Sequence, residues 1–461
     1  MLRSLCAVLT AALWTLAPQP ARRDVSLIIT GGAVVTVDAA DRLITPGAVA
    51  IDGRDIVGVD TADAIAQRFT ARETIDARGQ VVLPGLINTH THAPMVLYRG
   101  LADDLALMEW LQKYIFPAEA KTVSPEFVRA GTRLAALEMI QSGTTAYADM
   151  YYFEEEIAKA TKEAGIRGVL GQTIIQFPVP DAKTPEDGIA RATSFIREWK
   201  SDELIVPAIA PHSMYTLDAK TLKTIRAVAD KERAPVIVHL AETSDEVKVA
   251  REKYKTTPTQ FLESIGFWGE RTLAAHGVHL TPADIAILAK RRVGVSHNPE
   301  SNMKLASGTA PVIRLQRAGV HVGLGTDGAA SNNDLDMFEA MRQAAFLHKL
   351  ITNDPRALPA KTAIRMATIE GARILGLERE IGSLESGKRA DLLVVAMRTA
   401  RQTPMYDPLS HLVYVTRGDD VQTMVVNGKI VMRDRRVLTL NEKAVLDEAA
   451  VWADKVRQAV R

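Results

Sequence analysis

His90 and His92 constrain this chain more than any other feature, because they follow the apolar, β-prone residues 80–87. Side chains alternate faces along a strand, so residues at i and i+2 point the same way. We interpret residues 80–87 as a buried strand whose carboxyl end lets both imidazoles reach one metal ion. The alternative is that the two are surface histidines paired by chance. The rest of the sequence distinguishes between these two interpretations.

Further apolar segments also end in a histidine or an acid. They are residues 205–212 with His212, 235–242 with His239 and Glu242, 272–279 with His276, and 320–328 with Asp327. Amphipathic, helix-like segments follow, such as residues 217–231 and 281–290. Alternating strands and helices at this spacing predict a parallel β/α architecture. Barrel enzymes of this class carry their active sites at the carboxyl ends of the strands, where these polar residues recur.

Length and composition agree with a barrel enzyme. The 461 residues can hold a barrel of about 250 residues and a second unit. The net charge of +1 gives no reason to expect nucleic acid or an anionic membrane as a partner. Cys6 is the only cysteine, so an intrachain disulfide and a cysteine-ligated metal are both excluded. We expect nitrogen and oxygen ligands, a small-molecule substrate and a homo-oligomer.

Both ends of the chain contain strand patterns that predict one small β unit. Residues 26–37 and 48–59 are strand-like near the start, and residues 390–395 and 421–431 near the end, where Asn427 and Gly428 signal a hairpin. The expected domains are a β-sandwich of residues 22–83 and 380–440, a (β/α)8 TIM barrel of residues 84–379, and a C-terminal helix at 441–461.

The first 21 residues differ from the rest. Arg3 precedes an apolar run at residues 5–17, prolines follow, and Ala21 suits a cleavage point, which predicts a signal peptide. The run is too short to span a bilayer in the mature protein. We expect a periplasmic or secreted protein; a cytoplasmic one with a misassigned start is the alternative.

Several longer motifs carry a specific resemblance. They are residues 84–95, 99–100, 109–111, 239–243, 275–280, 296–302 and 325–333. In this order they resemble the amidohydrolase superfamily, across residues 25–440. Within it they are similar to the amino- and chloro-hydrolase branch that includes S-adenosylhomocysteine and 5′-methylthioadenosine deaminases. The resemblance implies a metal-dependent α/β barrel that is an aminohydrolase.

The resemblance also implies a metal set of His90, His92, His239 and Asp327. These ligands suit one divalent ion, zinc in the first place and iron as the alternative, with an open position for water. The ion would lower the pKa of that water, and Asp327 would take its proton. Residues 144–150 contain no lysine to bridge a second ion, which favours a single one.

Two further residues match family positions with roles in proton transfer. Glu242 resembles the carboxyl that protonates a ring nitrogen and later the leaving group; the alternative is a solvated acid at a helix start. His276 resembles the residue that orients the attacking oxygen, and otherwise it is a hydrogen-bonding neighbour of the site. The implied reaction releases ammonia and leaves a lactam, although the same groups can expel chloride or open a cyclic amide.

Substrate residues follow from the same comparison. Glu119 matches the acid that accepts both hydroxyls of a ribose. Trp110 and His212 match residues that line the nucleoside pocket, and Ser331 lies beside them; for Trp110 the alternative is an ordinary core tryptophan. His297 and Asn298 are expected to be structural.

The chain departs from the family at the substrate's tail. Adenosylhomocysteine-type members carry two arginines where this chain has Gln172 and Gly188, and neither of these pairs with a carboxylate. Residues 177–180 are expected to form an apolar wall there, which suits a methylthio group. The main hypothesis is thus an adenosine-type deaminase. A hydrolase of guanine, a pterin or a triazine is the second, and a non-enzymatic relative that keeps the barrel as an assembly module is the third.

Overall fold

The computed structural model describes residues 22–460, and the predicted signal peptide at residues 1–21 lies outside them. The described chain contains, in order, the strands β1 (Arg23–Val35), β2 (Leu43–Asp52), β3 (Asp55–Thr61), β4 (Phe69–Asp76), β5 (Gln80–Pro84), β6 (Leu86–Thr91), β7 (Thr144–Tyr151), β8 (Arg167–Ile174), β9 (Ile205–Pro211), β10 (Val236–Leu240), β11 (Thr272–His276), β12 (Gly294–His297), β13 (Val322–Leu324), β14 (Leu392–Ala396), β15 (Val421–Val426), β16 (Lys429–Arg433) and β17 (Arg436–Val437).

Helices separate most of the central strands. In chain order they are α1 (Ala62–Arg68), α2 (Leu107–Trp110), α3 (Phe116–Thr122), α4 (Pro125–Ser142), α5 (Glu154–Ala164), α6 (Pro185–Trp199), α7 (Ala219–Glu232), α8 (Ser244–Tyr254), α9 (Pro258–Ser264), α10 (Pro282–Arg291), α11 (Pro299–Lys304), α12 (Val312–Arg317), α13 (Met337–Thr352), α14 (Ala360–Met366), α15 (Ile369–Leu375), α16 (Pro408–Tyr414) and α17 (Glu442–Ala459). Thr281 and Asp284 form a capping box that starts α10, as the predicted segment 281–290 requires. None of the helices within residues 22–460 has the length and apolar content to cross a bilayer.

Strands β6 to β13 confirm the predicted (β/α)8 barrel. They lie side by side in chain order in one eight-stranded sheet, and neighbouring strands are parallel. The first and last strands meet through the Thr89 hydroxyl, which donates to the Leu324 carbonyl at 2.8 Å. The Asp327 amide donates to the His90 carbonyl at 2.9 Å. This closure places the predicted ligands of β6 and of the segment after β13 next to each other.

The two chain ends build a second, nine-stranded sheet from β1–β5 and β14–β17. Strand β5 pairs antiparallel with β14, with Val82 opposite Val394, so the early and late strands are neighbours. Asn427 and Gly428 connect β15 to β16, as the hairpin signal predicted. Leu27, Val82 and Val394 belong to one buried cluster, so both halves of the sheet share a core.

The interpretation of residues 80–87 as one strand is wrong. Pro84 ends β5 in the small sheet, and Leu86 begins β6 in the barrel, so the chain changes sheets at Gly85. A Cβ at Gly85 would collide with the side chain of Thr145. The pattern did not reveal the break because residues 81–83 of β5 and Leu86 and Ile87 of β6 are all apolar and buried, and only the Pro-Gly pair marks the boundary.

Candidate active site

A cavity opens at the carboxyl ends of the barrel strands. Its lining includes nearly all of the site residues expected from the sequence: His92, Trp110, Glu119, His212, His239, Glu242, His276, Asp327 and Ser331. His90 lies directly behind this lining and is fully buried. The fold therefore brings residues from five barrel strands, and from the helical segment that follows β6, into one chamber.

Three histidines and an aspartate converge at the base of the cavity. Asp327 Oδ1 lies 3.4 Å from the Nε2 atoms of both His90 and His92. His92 Nε2 and His239 Nε2 are also 3.4 Å apart. His90, His92 and Asp327 form one group of ligand atoms close enough to share an ion, and His90, His239 and His276 form an overlapping one. Because the two groups share His90, the arrangement suits a single centre.

Backbone carbonyls fix the orientation of two of these rings. His92 Nδ1–H donates to the Met150 carbonyl at 2.6 Å, and His239 Nδ1–H donates to the His212 carbonyl at 2.9 Å. In each ring this leaves the Nε2 lone pair directed at the cluster, which is the usual outer support of a metal-binding histidine. Burial, together with the neighbouring histidines, holds the pKa of His239 well below its usual value, so this ring is neutral, as ligation requires.

The surroundings of His90 indicate whether the cluster of three histidines and Asp327 fits a metal ion. Its side chain is fully buried, and within the described chain its ring nitrogens have no polar partner closer than the 3.4 Å contact of Nε2 with Asp327 Oδ1. Burying polar atoms unpaired costs free energy, so such an atom in a native fold calls for a partner. Burial lowers the pKa of His90 to about 4, which keeps the ring neutral. Three neutral imidazoles and one carboxylate are a donor set that zinc or iron accepts.

His276 faces two carboxylates beside the cluster. Its Nε2 lies 3.8 Å from Glu242 Oε2 and 3.9 Å from Asp327 Oδ2, and its Nδ1 is 3.0 Å from Asn302 Oδ1. Burial alone would lower the pKa of His276, but the facing carboxylates and Asn302 outweigh it and raise that pKa. Burial raises the pKa of Glu242, although the charge of His276 opposes part of the rise. A carboxyl that holds its proton more tightly than usual suits proton transfer.

Two of these side chains come from unusual backbone conformations. His276 has φ of +72° and Asp327 has φ of +65°, a left-handed region that residues other than glycine seldom occupy. Such a conformation costs about 1–3 kcal/mol and persists where the surroundings enforce it. Here it occurs at the end of β11 and just beyond β13, where the chain must turn away while the side chain stays in the cavity.

The predicted substrate residues lie at the outer part of the cavity. Glu119 is on α3 and is buried, and its Oε1 accepts a hydrogen bond from the Tyr151 hydroxyl at 2.7 Å. Burial raises the pKa of Glu119 to about 7, although the Tyr151 hydrogen bond opposes the rise. Trp110 lines the cavity wall, and Ser331 bonds Ser301 at 3.1 Å. A carboxylate therefore faces the same chamber as the histidine cluster.

His297 and Asn298 lie outside the cavity lining, as expected of structural residues. His297 Nε2 is 3.3 Å from His348 Nε2, in the layer between the barrel and α13. Asn298 has a closer link to the site, because its Nδ2 is 3.3 Å from the Nδ1 of His276. Its structural role is thus to support a cavity residue.

The region expected to hold the tail of the substrate, at Gln172, Gly188 and residues 177–180, differs in detail from the sequence-based expectation. Residues 177–180 do not line the cavity; Phe177 is 42% exposed and packs edge-on against Phe116, which does line it. Gln172 Nε2 donates to Asp181 Oδ2 at 2.8 Å, and Gly188 faces Ile174 from within α6. Neither of these two positions offers a cation to the cavity. The exposed loop after β8 had no periodic pattern from which its direction could be predicted.

Sequence reasoning missed several lining and supporting residues. Tyr151 is the last residue of β7 and Tyr152 follows it, and Thr173 is the penultimate residue of β8. Ser301 donates to Asp327 Oδ2 at 2.7 Å, and so supports a predicted ligand. The tyrosines could have been found by the rule that identified the histidines, since they too occupy a strand end. Ser301 lies within residues 296–302, one of the motifs that carry the family resemblance.

Known proteins resemble this chain both in sequence and in structure. Residues 81–431 match the Amidohydrolase family. A 5-methylthioadenosine/S-adenosylhomocysteine deaminase 1 of Syntrophus aciditrophicus is 45% identical over 95% of this chain and 99% of its own length. A 5′-deoxyadenosine deaminase of Methanosarcina mazei is 44% identical over 93% and 98%. The crystal structure of an adenosine deaminase from Xanthomonas campestris with bound zinc superposes with a TM-score of 0.93 at 40% identity, covering 95% and 100%. This chain belongs to the amidohydrolase family.

Proposed function

We propose that this protein is a metal-dependent hydrolytic deaminase of adenosine-type nucleosides such as 5′-methylthioadenosine. As such it is a hydrolase of C–N bonds in cyclic amidines. The names of its relatives support an adenosine-type substrate. The observation that carries the proposal is the position of Glu119, a buried carboxylate with one oxygen free of protein donors in the described chain, in the same cavity as the histidine cluster. A free base has no ribose for that carboxylate to hold.

The proposed metal is one divalent ion, zinc in the first place, held by His90, His92, His239 and Asp327. When bound, it supplies the Lewis acidity that activates water near neutral pH. Asp327 accepts the proton that the attacking water loses, and His276 orients that water. Glu242 protonates the ring nitrogen, takes up the proton that Asp327 holds and delivers it to the departing amine. As the lactam oxygen forms, the hydroxyl on the reacting carbon returns a proton to Glu242. The water oxygen becomes the lactam oxygen, and in net terms its two protons end on the ring nitrogen and on ammonia.

Glu119→Ala tests whether the substrate is a nucleoside. The substitution removes the acceptor for the ribose hydroxyls, and a hydrogen bond to a charged group contributes about 1.5–3 kcal/mol. We expect kcat/KM for 5′-methylthioadenosine to fall at least about tenfold, because about 1.4 kcal/mol corresponds to a factor of ten. The 2′-deoxy analogue serves as the control and should lose little. An enzyme that deaminates guanine, a pterin or a triazine and ignores nucleosides would replace the proposal with the second hypothesis.

The pH dependence of ribose recognition provides an independent check. The pKa of Glu119 is raised to about 7, so the carboxyl gains a proton as the pH falls below that value and accepts hydroxyl donors less well. The ratio of kcat/KM for adenosine to that for 2′,3′-dideoxyadenosine should therefore rise with pH, with a midpoint near 7. Taking the ratio cancels the titration of Glu242 and His276, which act on both substrates. A ratio that stays constant between pH 5.5 and 8.5 in the wild type, or one that still rises in Glu119→Gln, would contradict this account.

The tail region determines which nucleoside we expect to be preferred. Gln172 and Gly188 leave a homocysteine carboxylate without a cation, so 5′-methylthioadenosine should have a higher kcat/KM than S-adenosylhomocysteine. Parallel ammonia-release assays on the two compounds measure this preference. The reverse order would mean that another cation serves the tail, and Lys183, which is exposed and lies between Gln172 and Gly188 in the sequence, is the candidate. Export and assembly into a homo-oligomer stay predictions from the sequence.

A further inference from the structure

Glu119 does not lie on a barrel strand. Its helix, α3, belongs to the segment between β6 and α4, whereas the metal cluster is built from strand ends. The ribose lies at a fixed distance from the reacting carbon, so its recognition requires α3 and the strand ends of the metal cluster to keep a fixed relative position. The link between them is therefore a determinant of specificity.

Tyr151 supplies that link. It is the last residue of β7, its ring centroid lies 6.5 Å from that of His92, and its hydroxyl donates to Glu119 Oε1 at 2.7 Å. Both side chains are at least nine-tenths buried and line the cavity. Within residues 22–460 the Tyr151 hydroxyl is the one group that donates a hydrogen bond to the Glu119 carboxylate. Oxygen Oε1 is thus occupied, and Oε2 is the one without a protein donor.

We propose that Tyr151 is a positioning residue that holds Glu119 for a ribose diol and so sets the preference for ribonucleosides over deoxynucleosides. The inference rests on the proposed function and extends it to a residue of the barrel itself. The rigid aromatic side chain of Tyr151 fixes the carboxylate relative to β7, since its ring lies beside those of His92 and Tyr152. Without the hydroxyl, the carboxylate has other rotamers available and meets the diol less often in the productive orientation.

The test replaces Tyr151 with phenylalanine, which removes the hydroxyl and keeps the ring. For adenosine we expect kcat/KM to fall about tenfold, chiefly through a higher KM, because the groups at the reacting carbon are unchanged. For 2′,3′-dideoxyadenosine, which has no diol, the change should stay below about twofold. Tyr98→Phe is the matched control: its hydroxyl bonds Thr122 on the same helix, α3, and lies outside the cavity lining. That control should leave the ratio of the two substrates unaltered.

A double-mutant cycle separates positioning from a general loss of structure. In a Glu119→Ala background, Tyr151→Phe should have almost no further effect on adenosine, because the group that it positions is gone. Equal losses for both substrates, an undiminished ratio, or full additivity with Glu119→Ala would overturn the inference. If the wild type deaminates no adenosine compound, the proposed function itself has failed, which is a different result.

Discussion

Replacing His239 with alanine is expected to remove both the metal and the deaminase activity. The wild type should hold about one zinc or iron per chain by elemental analysis. The variant loses a ring whose Nε2 lies 3.4 Å from that of His92 and whose orientation the His212 carbonyl fixes. Three of the four assigned ligands remain, so we expect metal content and kcat each to fall to background.

His321→Ala is the matched control for this change. His321 is 55% exposed at its side chain and pairs with Glu370, away from the cavity. Its loss should leave metal content and kcat within about twofold, since surface substitutions seldom matter beyond about 0.5 kcal/mol. A His239→Ala protein with full metal and turnover would remove His239 from the ligand set. Two tightly bound equivalents in the wild type would contradict the single-ion assignment.

Glu242→Gln should leave the metal in place and reduce kcat by about 10²-fold or more. The amide keeps the shape of the side chain but cannot carry a proton between the ring nitrogen and the departing amine. Glu242 Oε2 lies 3.8 Å from His276 Nε2, so the change acts at the reacting end of the cavity. Because the substrate still binds, KM should change much less than kcat.

Glu252→Gln on α8 provides the comparison for Glu242→Gln. Glu252 is exposed on the helix that follows the same strand, so its substitution tests for effects of charge alone. Both proteins should bind metal as the wild type does. Turnover close to the wild-type rate in Glu242→Gln, at full metal occupancy, would exclude Glu242 as the proton carrier.

Strand ends account for most of what the sequence could predict. His239, His276 and Asp327 each follow a short apolar run, and parallel strands of a barrel bring such ends together. The convergence of the ligands could therefore be predicted without knowing the conformation of any loop. The break at Gly85 was not visible, because two buried strands of different sheets read as one apolar run.

Positions that depend on loops and side-chain directions were harder to predict. Phe177 was expected to face the substrate and packs on Phe116 from outside, because the direction of an irregular loop is set by its neighbours. The bond from Tyr151 to Glu119 joins residues of separate elements, and neither residue has a local pattern that indicates the other. Such contacts arise only once the barrel is closed.

The pairing of β5 with β14 has a consequence for synthesis of the protein on the ribosome. Val82 of β5 can pair with Val394 of β14 only after the roughly 300 residues between them have been synthesised. At about 5–20 residues per second, those residues take on the order of 15–60 s to emerge from the ribosome. During that time the nascent chain carries β5 without β14, its late neighbour in the sheet. An open, apolar strand edge is a template for pairing with other chains. The β5 edge is therefore open to pairing with other chains during translation, and slower elongation through the barrel would lengthen that period.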